Sequence, residues 1–124
     1  MGFEFYNPTN EKGSCIVRTF SKLLDKNIKT IKEELNELAR KNNYDNYQNI
    51  EIIEEYFKSN NYEKLRIKDE ILVKNLKLDN GKYAVYCYDK ANRYHIFPVV
   101  NNIVYYKNDT CFDLYVISIY KLNN

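Results

Sequence analysis

The chain has 124 residues, with 19 lysines and arginines against 17 aspartates and glutamates, for a net charge of +2. This balance provides no electrostatic argument for binding nucleic acid or an anionic membrane surface. With 44% hydrophobic and 29% charged residues, the composition is that of a globular protein, and the length predicts one domain over residues 1–124. No apolar run approaches the length that crosses a membrane.

The cysteine content indicates a reducing environment. The chain has three cysteines, an odd number that does not suit a framework of paired disulfides. No signal peptide opens the sequence. We therefore expect a cytoplasmic protein, located in the host cell if a phage encodes it.

The first half of the chain is predicted to be helical. Apolar residues recur at helical spacing from Cys15 onward, which predicts a first helix that begins at the cysteine. Thr30 and Glu33 have the spacing of a capping box and predict the start of a second helix. A third apolar stripe begins at Ile50 and ends near residues 58–61.

The second half is predicted to be mostly strands. "YEKLRIK" suggests a short strand and "DEILVKNL" a short helix capped by Asp69. Four runs rich in β-branched and aromatic residues then follow, separated in two places by connectors short enough for hairpins: "KYAVYCYD", "YHIFPVV", "NIVYYKN" and "LYVISIYKL". The order predicts an α+β protein whose N-terminal helices pack on one face of a C-terminal antiparallel β-meander.

Cys15 and His95 are the candidate catalytic pair, and His95 is the only histidine in the chain. Cysteine hydrolysis needs a thiolate that attacks a carbonyl carbon and an imidazole that protonates the leaving group. A cysteine at a helix start feels the positive end of the helix dipole, which favours the thiolate, and free N–H groups there can bind an oxyanion. The pair is therefore chemically sensible, although a packed cysteine and an ordinary strand histidine would explain the same residues.

Local sequence adds a family resemblance. "GSCIVRTFSKLL" is followed later by "GKYAVYCYDKANRYHIFPVVNNIVYYKND". These segments resemble the small papain-like cysteine peptidase-like proteins of phages and bacteria, in which Asp-Cys-Val-Val-Arg-Ala opens the first helix and strands of the forms Gly-x-Tyr-x-Val and His-x-x-x-Val-Val follow. The matching residues occur here in the same order: Cys15, Arg18, Gly81, Tyr83, Val85, His95, Val99 and Val100. The resemblance implies a papain-like cysteine proteinase fold over nearly the whole chain.

The resemblance also implies roles for site residues. Cys15 is then the nucleophile and His95 the acid and base. Asn10 is the nearest amide upstream of the cysteine and a candidate donor to the oxyanion, with an ordinary loop asparagine as the equal alternative.

The third catalytic residue departs from the family pattern. The family's orienting aspartate falls where this chain has Tyr106. The nearest carboxylate is Asp109, beside Asn108, and papain-like sites accept either side chain in this role. We expect one of the two to orient the imidazole, while a simple turn residue remains the other explanation for Asp109.

Four further residues have structural interpretations. Ser14 stands where the family has aspartate and is expected to cap the first helix. Arg18 either braces the site or is a solvated helix charge. Cys87 is expected in the core and Cys111 in a loop. With no Cys-x-x-Cys, one histidine and no glycine-rich phosphate loop, the sequence offers no case for zinc or a nucleotide cofactor.

Two functions follow from these expectations. The first is a papain-like thiol hydrolase, a cysteine peptidase or isopeptidase, that acts on a peptide or protein substrate through a Cys-His-Asp/Asn site. The second is a catalytically inactive binding protein, such as a phage inhibitor that targets a host factor. The replacement of the family's aspartate by Tyr106 motivates the second function.

Overall fold

The computed structural model describes residues 1–9 and 14–123. Three helices and a six-stranded mixed sheet make it an α+β protein. The helices are α1 (Cys15–Leu24), α2 (Ile28–Lys41) and α3 (Ile50–Ser59). The strands are β1 (Gly2–Phe5), β2 (Tyr62–Arg66), β3 (Lys82–Tyr88), β4 (Tyr94–Val100), β5 (Ile103–Tyr106) and β6 (Tyr115–Leu122). Short 3₁₀ segments span Val73–Asn75 and Asp109–Asp113.

The helix starts follow from local capping. α1 begins at Cys15, as the apolar spacing predicts. α2 begins at Ile28, before the predicted capping box, because the side chain of Asn27 accepts a hydrogen bond from the Thr30 backbone N–H at 2.8 Å. The predicted helix capped by Asp69 is reduced to the first 3₁₀ segment.

The sheet is mixed, whereas the sequence predicted an antiparallel meander. Its order is β1-β5-β4-β3-β6-β2, so only β3, β4 and β5 form a meander. β6 returns across the sheet to pair with β3. β1, which the sequence analysis did not predict, pairs in parallel with β5.

The sheet opens between β4 and β5. These strands pair only at Val99–Val104 and Val100–Ile103. Pro98, which has no backbone N–H to donate, stands where the pairing stops. α1 packs against β4, and the Thr19 hydroxyl, which donates to the Cys15 carbonyl at 2.7 Å, also lies 3.2 Å from the carbonyl of Ile96, a residue with no partner on β5.

Two apolar clusters lie on either side of the sheet. One packs α1, α2 and α3 against the sheet, with Phe20 and Phe57 at its centre. The other contains Val85, Phe97 and Val104 and lies under the 3₁₀ segments. Cys15 touches both clusters, because α1 starts at the opening that joins the two sides. Within the described ranges, none of the helices combines the length and apolar character needed to cross a membrane.

Candidate active site

The start of α1 and the start of β4 bring Cys15 and His95 to one pocket. Cys15 is the first residue of α1 and is partly exposed, so its thiol is accessible to small reagents. His95 is the second residue of β4. Both side chains line a pocket of about 260 Å³. A thiol at a helix start and the imidazole of the chain therefore share one cavity.

Two oxygen atoms hold the imidazole of His95. Nε2 lies 3.2 Å from Oδ2 of Asp89, and Nδ1 lies 2.9 Å from the hydroxyl of Tyr106. A carboxylate only accepts hydrogen bonds, so Nε2 carries the hydrogen in the neutral ring and Nδ1 accepts from Tyr106. This arrangement fixes both the orientation and the tautomer of the ring.

Asp89 is the carboxylate that orients His95. It lies in the connection between β3 and β4, where Oδ1 accepts hydrogen bonds from the backbone N–H groups of Ala91 and Arg93. The Arg93 backbone bond, with further help from the His95 ring, lowers the pKa of Asp89 to about 2. The carboxylate is therefore ionised at every pH at which the protein would work.

A hairpin rule could have identified Asp89 from the sequence. Cys87 pairs with His95, so Asp89, two residues beyond Cys87, lies on the same face of the hairpin as a diagonal neighbour of His95. The predicted hairpin therefore places Asp89 near His95, whereas the family resemblance places the orienting carboxylate after β5.

Asp109 and Asn108 do not contact the imidazole. Asp109 is exposed at the start of the second 3₁₀ segment, and the Asn108 side chain caps that segment by accepting from the Thr110 backbone N–H at 3.0 Å. The structure thus pairs His95 with a different carboxylate from the one the sequence predicted, because the turn before β4 reaches the ring directly. Asn10 lies outside the described residues.

Tyr106 occupies the place of the family's aspartate and still reaches the imidazole. It is the last residue of β5, and its ring is buried against Phe97. Burial raises the pKa of its hydroxyl well above the ordinary value of 10.0, so it remains a neutral hydrogen-bond donor. The hydroxyl bridges the opening between β5 and β4, where no backbone pairing joins the strands.

Arg18 braces the start of α1 and is not a solvated helix charge. Only 4% of its surface is exposed, and Nη1 donates to Ser14 Oγ at 2.7 Å and to Asn7 Oδ1 at 3.0 Å. Ser14 occupies the N-cap position, but its hydroxyl accepts a hydrogen bond from Arg18 and makes no capping bond to the helix backbone. A buried cation therefore links α1 to the segment after β1.

The other two cysteines are buried. Cys87, predicted as a core residue, is 0% exposed. Cys111, predicted as a loop thiol, lies in the second 3₁₀ segment and is also 0% exposed. Burial raises the pKa of the Cys87 thiol strongly and that of Cys111 to about 12. Burial therefore disfavours the thiolate, the nucleophilic form, at both cysteines.

In the part of the chain that the structure describes, no three histidine, cysteine or acidic side chains are grouped to hold a metal ion. Comparison with family models, curated proteins and solved structures finds no match to this chain. The resemblance to papain-like peptidase-like proteins therefore stays a prediction from short motifs.

Proposed function

We propose that this protein is a papain-like thiol hydrolase that cleaves a peptide, isopeptide or related amide bond. One observation supports this above all. Cys15, at the start of a helix, shares a pocket with His95, whose ring is oriented by an ionised carboxylate. Nucleophile, acid and base, and orienting group are the three parts that such chemistry requires.

The proposed reaction uses these residues in turn. Cys15 Sγ gives its proton to Nδ1 of His95 and attacks the substrate carbonyl carbon. Backbone N–H groups of the first turn of α1 stabilise the oxyanion. The C–N bond then breaks as the imidazolium gives its proton to the departing amine, and water hydrolyses the thioester. Asp89 holds the ring through Nε2 during both proton transfers.

Tyr106 controls access to the base. Its hydroxyl donates to Nδ1, the nitrogen that must receive the thiol proton. In the proposed reaction this hydrogen bond opens part of the time in the free protein, and substrate stabilises the open state. Because the nucleophile must stay a free thiol, we propose that the protein acts in a reducing compartment such as the cytoplasm.

Alkylation kinetics test the proposed pair. Iodoacetamide at neutral pH should modify Cys15 while the buried Cys87 and Cys111 react roughly a hundredfold more slowly. His95→Ala should slow the modification of Cys15 at least about tenfold, since the base is lost. Gln48→Ala is the matched control, because Gln48 lines the same pocket without a titratable group.

Two results would contradict the hydrolase. One is a His95→Ala variant that folds, by circular dichroism, and alkylates at the wild-type rate. The other is equal labelling of all three thiols in the folded protein. Peptide mapping by mass spectrometry assigns the rate to each cysteine.

The second candidate is a binding protein without turnover, such as an inhibitor of a host factor. It is favoured by the Tyr106 hydrogen bond, because this bond leaves neither ring nitrogen of His95 free. Capture of one stoichiometric host protein that is unaffected by Cys15→Ala, together with no effect of His95→Ala on alkylation, would favour this function.

A further inference from the structure

His95 lies between two cavities. The first, which we call the Cys15 pocket, is lined by Cys15, Ile16, Ile53, Tyr86, Tyr94 and His95. The second, which we call the basic pocket, has a volume of about 480 Å³; its charged lining consists of Lys90, Arg93 and Lys107 with Asp89 and Asp113, beside the same histidine. The two cavities therefore have the His95 side chain as a common wall.

The Cys15 pocket has an apolar wall. Ile53 and Ile96 are buried beneath it, and the rings of Tyr86 and Tyr94 stack at 5.7 Å between centroids. Its volume of about 260 Å³ is smaller than a typical site for a drug-sized molecule, roughly 300–1,000 Å³. The pocket therefore suits one apolar side chain of a longer ligand.

The basic pocket has a surplus of positive charge. Arg93 is paired with Asp89 at 3.0 Å, and Asp113 lies 3.6 Å from Lys74. Lys90 and Lys107 line the same pocket, and among the described residues neither forms an ion pair. These two lysines come from different connections, one between β3 and β4 and one after β5, so the fold brings them to a common cavity.

We propose that the two cavities together bind an acidic peptide segment, with an apolar side chain in the Cys15 pocket and the following carboxylates against Lys90 and Lys107. This proposal rests on the proposed function, since it places the scissile bond at His95. The carbonyl carbon bonds to Cys15 Sγ, the C–N bond breaks, and the amine that receives the proton from His95 belongs to the acidic part. The leaving group therefore departs through the basic pocket.

Peptide binding tests the proposal without relying on turnover. The probe is a fluorescein-labelled, end-blocked peptide with the sequence Ala-Ala-Leu-Asp-Glu-Ala, titrated against the Cys15→Ala variant and followed by fluorescence anisotropy. A matched peptide with Lys-Lys in place of Asp-Glu should bind about tenfold more weakly, because attraction to the two lysines becomes repulsion. Serine in place of leucine should also weaken binding about tenfold, since the apolar contact is lost.

Charge reversal identifies the lysines responsible. Lys90→Glu with Lys107→Glu should reverse the preference, so that the basic peptide binds more tightly. Lys29→Glu with Lys121→Glu makes the same charge change at exposed positions that line neither pocket, and should leave the preference unchanged. Equal binding of the two peptides, or a preference that survives the Lys90 and Lys107 changes, would overturn the proposal.

Hydrolysis by the wild-type protein separates this inference from the proposed function. Cleavage of both peptides at equal rates would support the hydrolase and overturn the acidic preference. Selective binding of the acidic peptide to Cys15→Ala, with no cleavage by the wild type, would support the proposed acidic ligand and contradict the proposed hydrolase activity. Cleavage between leucine and aspartate, located by mass spectrometry, would support both.

Discussion

The two ends of the β4–β5 pair are held together by different means. At the closed end, Val99 and Val100 pair with Val104 and Ile103 through the backbone, and the three valine side chains join the apolar clusters. At the open end, residues 94–98 of β4 have no backbone partner on β5. There, the Tyr106 hydroxyl joins β5 to His95 of β4, and the Thr19 hydroxyl joins α1 to the Ile96 carbonyl of β4.

This difference explains why the candidate site lies where it does. Backbone pairing fills the space between strands and leaves no room for a ligand. Where the pairing stops, a helix start can approach the strand, so a thiol from α1 and an imidazole from β4 line the same pocket. The closed end contributes mainly to stability, and the open end holds the reactive groups. Changes at the closed end should therefore alter the free energy of unfolding, and changes at the open end should also alter the alkylation rate of Cys15.

At the closed end, Val104→Ala should have the largest effect on stability. Val104 is 0% exposed, and the change removes two buried methyl groups and leaves a cavity. We expect the free energy of unfolding to fall by about 2 kcal/mol, measured by urea denaturation. The alkylation rate of Cys15 in the folded variant should match the wild type. A large change in that rate would show that the two ends are coupled.

At the open end, Thr19→Val should lower stability by about 1 kcal/mol, because it removes the hydroxyl that bonds to the Cys15 carbonyl within α1 and to the Ile96 carbonyl of β4. Unlike Val104→Ala, this change should also slow alkylation of Cys15, since the hydrogen bond that fixes α1 to β4 is lost. Thr30→Val on α2 is the matched control, at a partly exposed site. Loss of stability with an unaltered alkylation rate would contradict the role of Thr19 in positioning Cys15.

The Asp89 carboxylate should stabilise the open end in a pH-dependent way. Its pKa in the folded protein, about 2, lies below the ordinary value of 3.8, so the folded state binds fewer protons between these limits. The resulting stability is complete above about pH 4 and is lost as the pH falls through about 2. In urea titrations from pH 2 to 7, the free energy of unfolding of Asp89→Asn should lack this rise with pH. Asp79→Asn, a change at an exposed site, should retain it. Parallel curves for wild type and Asp89→Asn would contradict the assignment.

The smallest expected effect is that of Tyr106→Phe. Removing the hydroxyl frees Nδ1 of His95 without changing the shape of the ring, so Cys15 should be alkylated a few-fold faster at neutral pH. Tyr83→Phe on β3, another buried tyrosine, should leave the rate unchanged. A slower reaction would mean that the Tyr106 hydroxyl lies in the path of the proton and does not block it.

The sequence predicted those features that local patterns determine. The start of α1 at Cys15 follows from apolar spacing, and β3 to β6 follow from runs of β-branched and aromatic residues. β1 was missed because its four residues are mostly exposed and its partner is distant in the chain. The order of strands was also missed, since no local pattern specifies that β6 crosses to β3.

The candidate site was predictable only where a residue type or a local motif marked its members. Cys15 and His95 were found from residue type and motif, and the structure brings both to one pocket. Asp89 was not found because its contact depends on the hairpin register and not on the family motif. Pro98 within a predicted strand was an available signal for the opening, since proline marks a strand edge that lacks a partner.

The parallel pairing of β1 with β5 has a consequence for folding. Gly2 lies opposite Ile103, and Phe5 lies opposite Tyr106. During synthesis, β1 can therefore pair with β5 only after roughly a hundred further residues have been added. During synthesis, the helices and the β3–β4 hairpin can form while β1 is still without a neighbour. Anchoring of Tyr106 is then among the last steps, and a nascent chain would acquire its thiol well before the hydroxyl that restrains the imidazole.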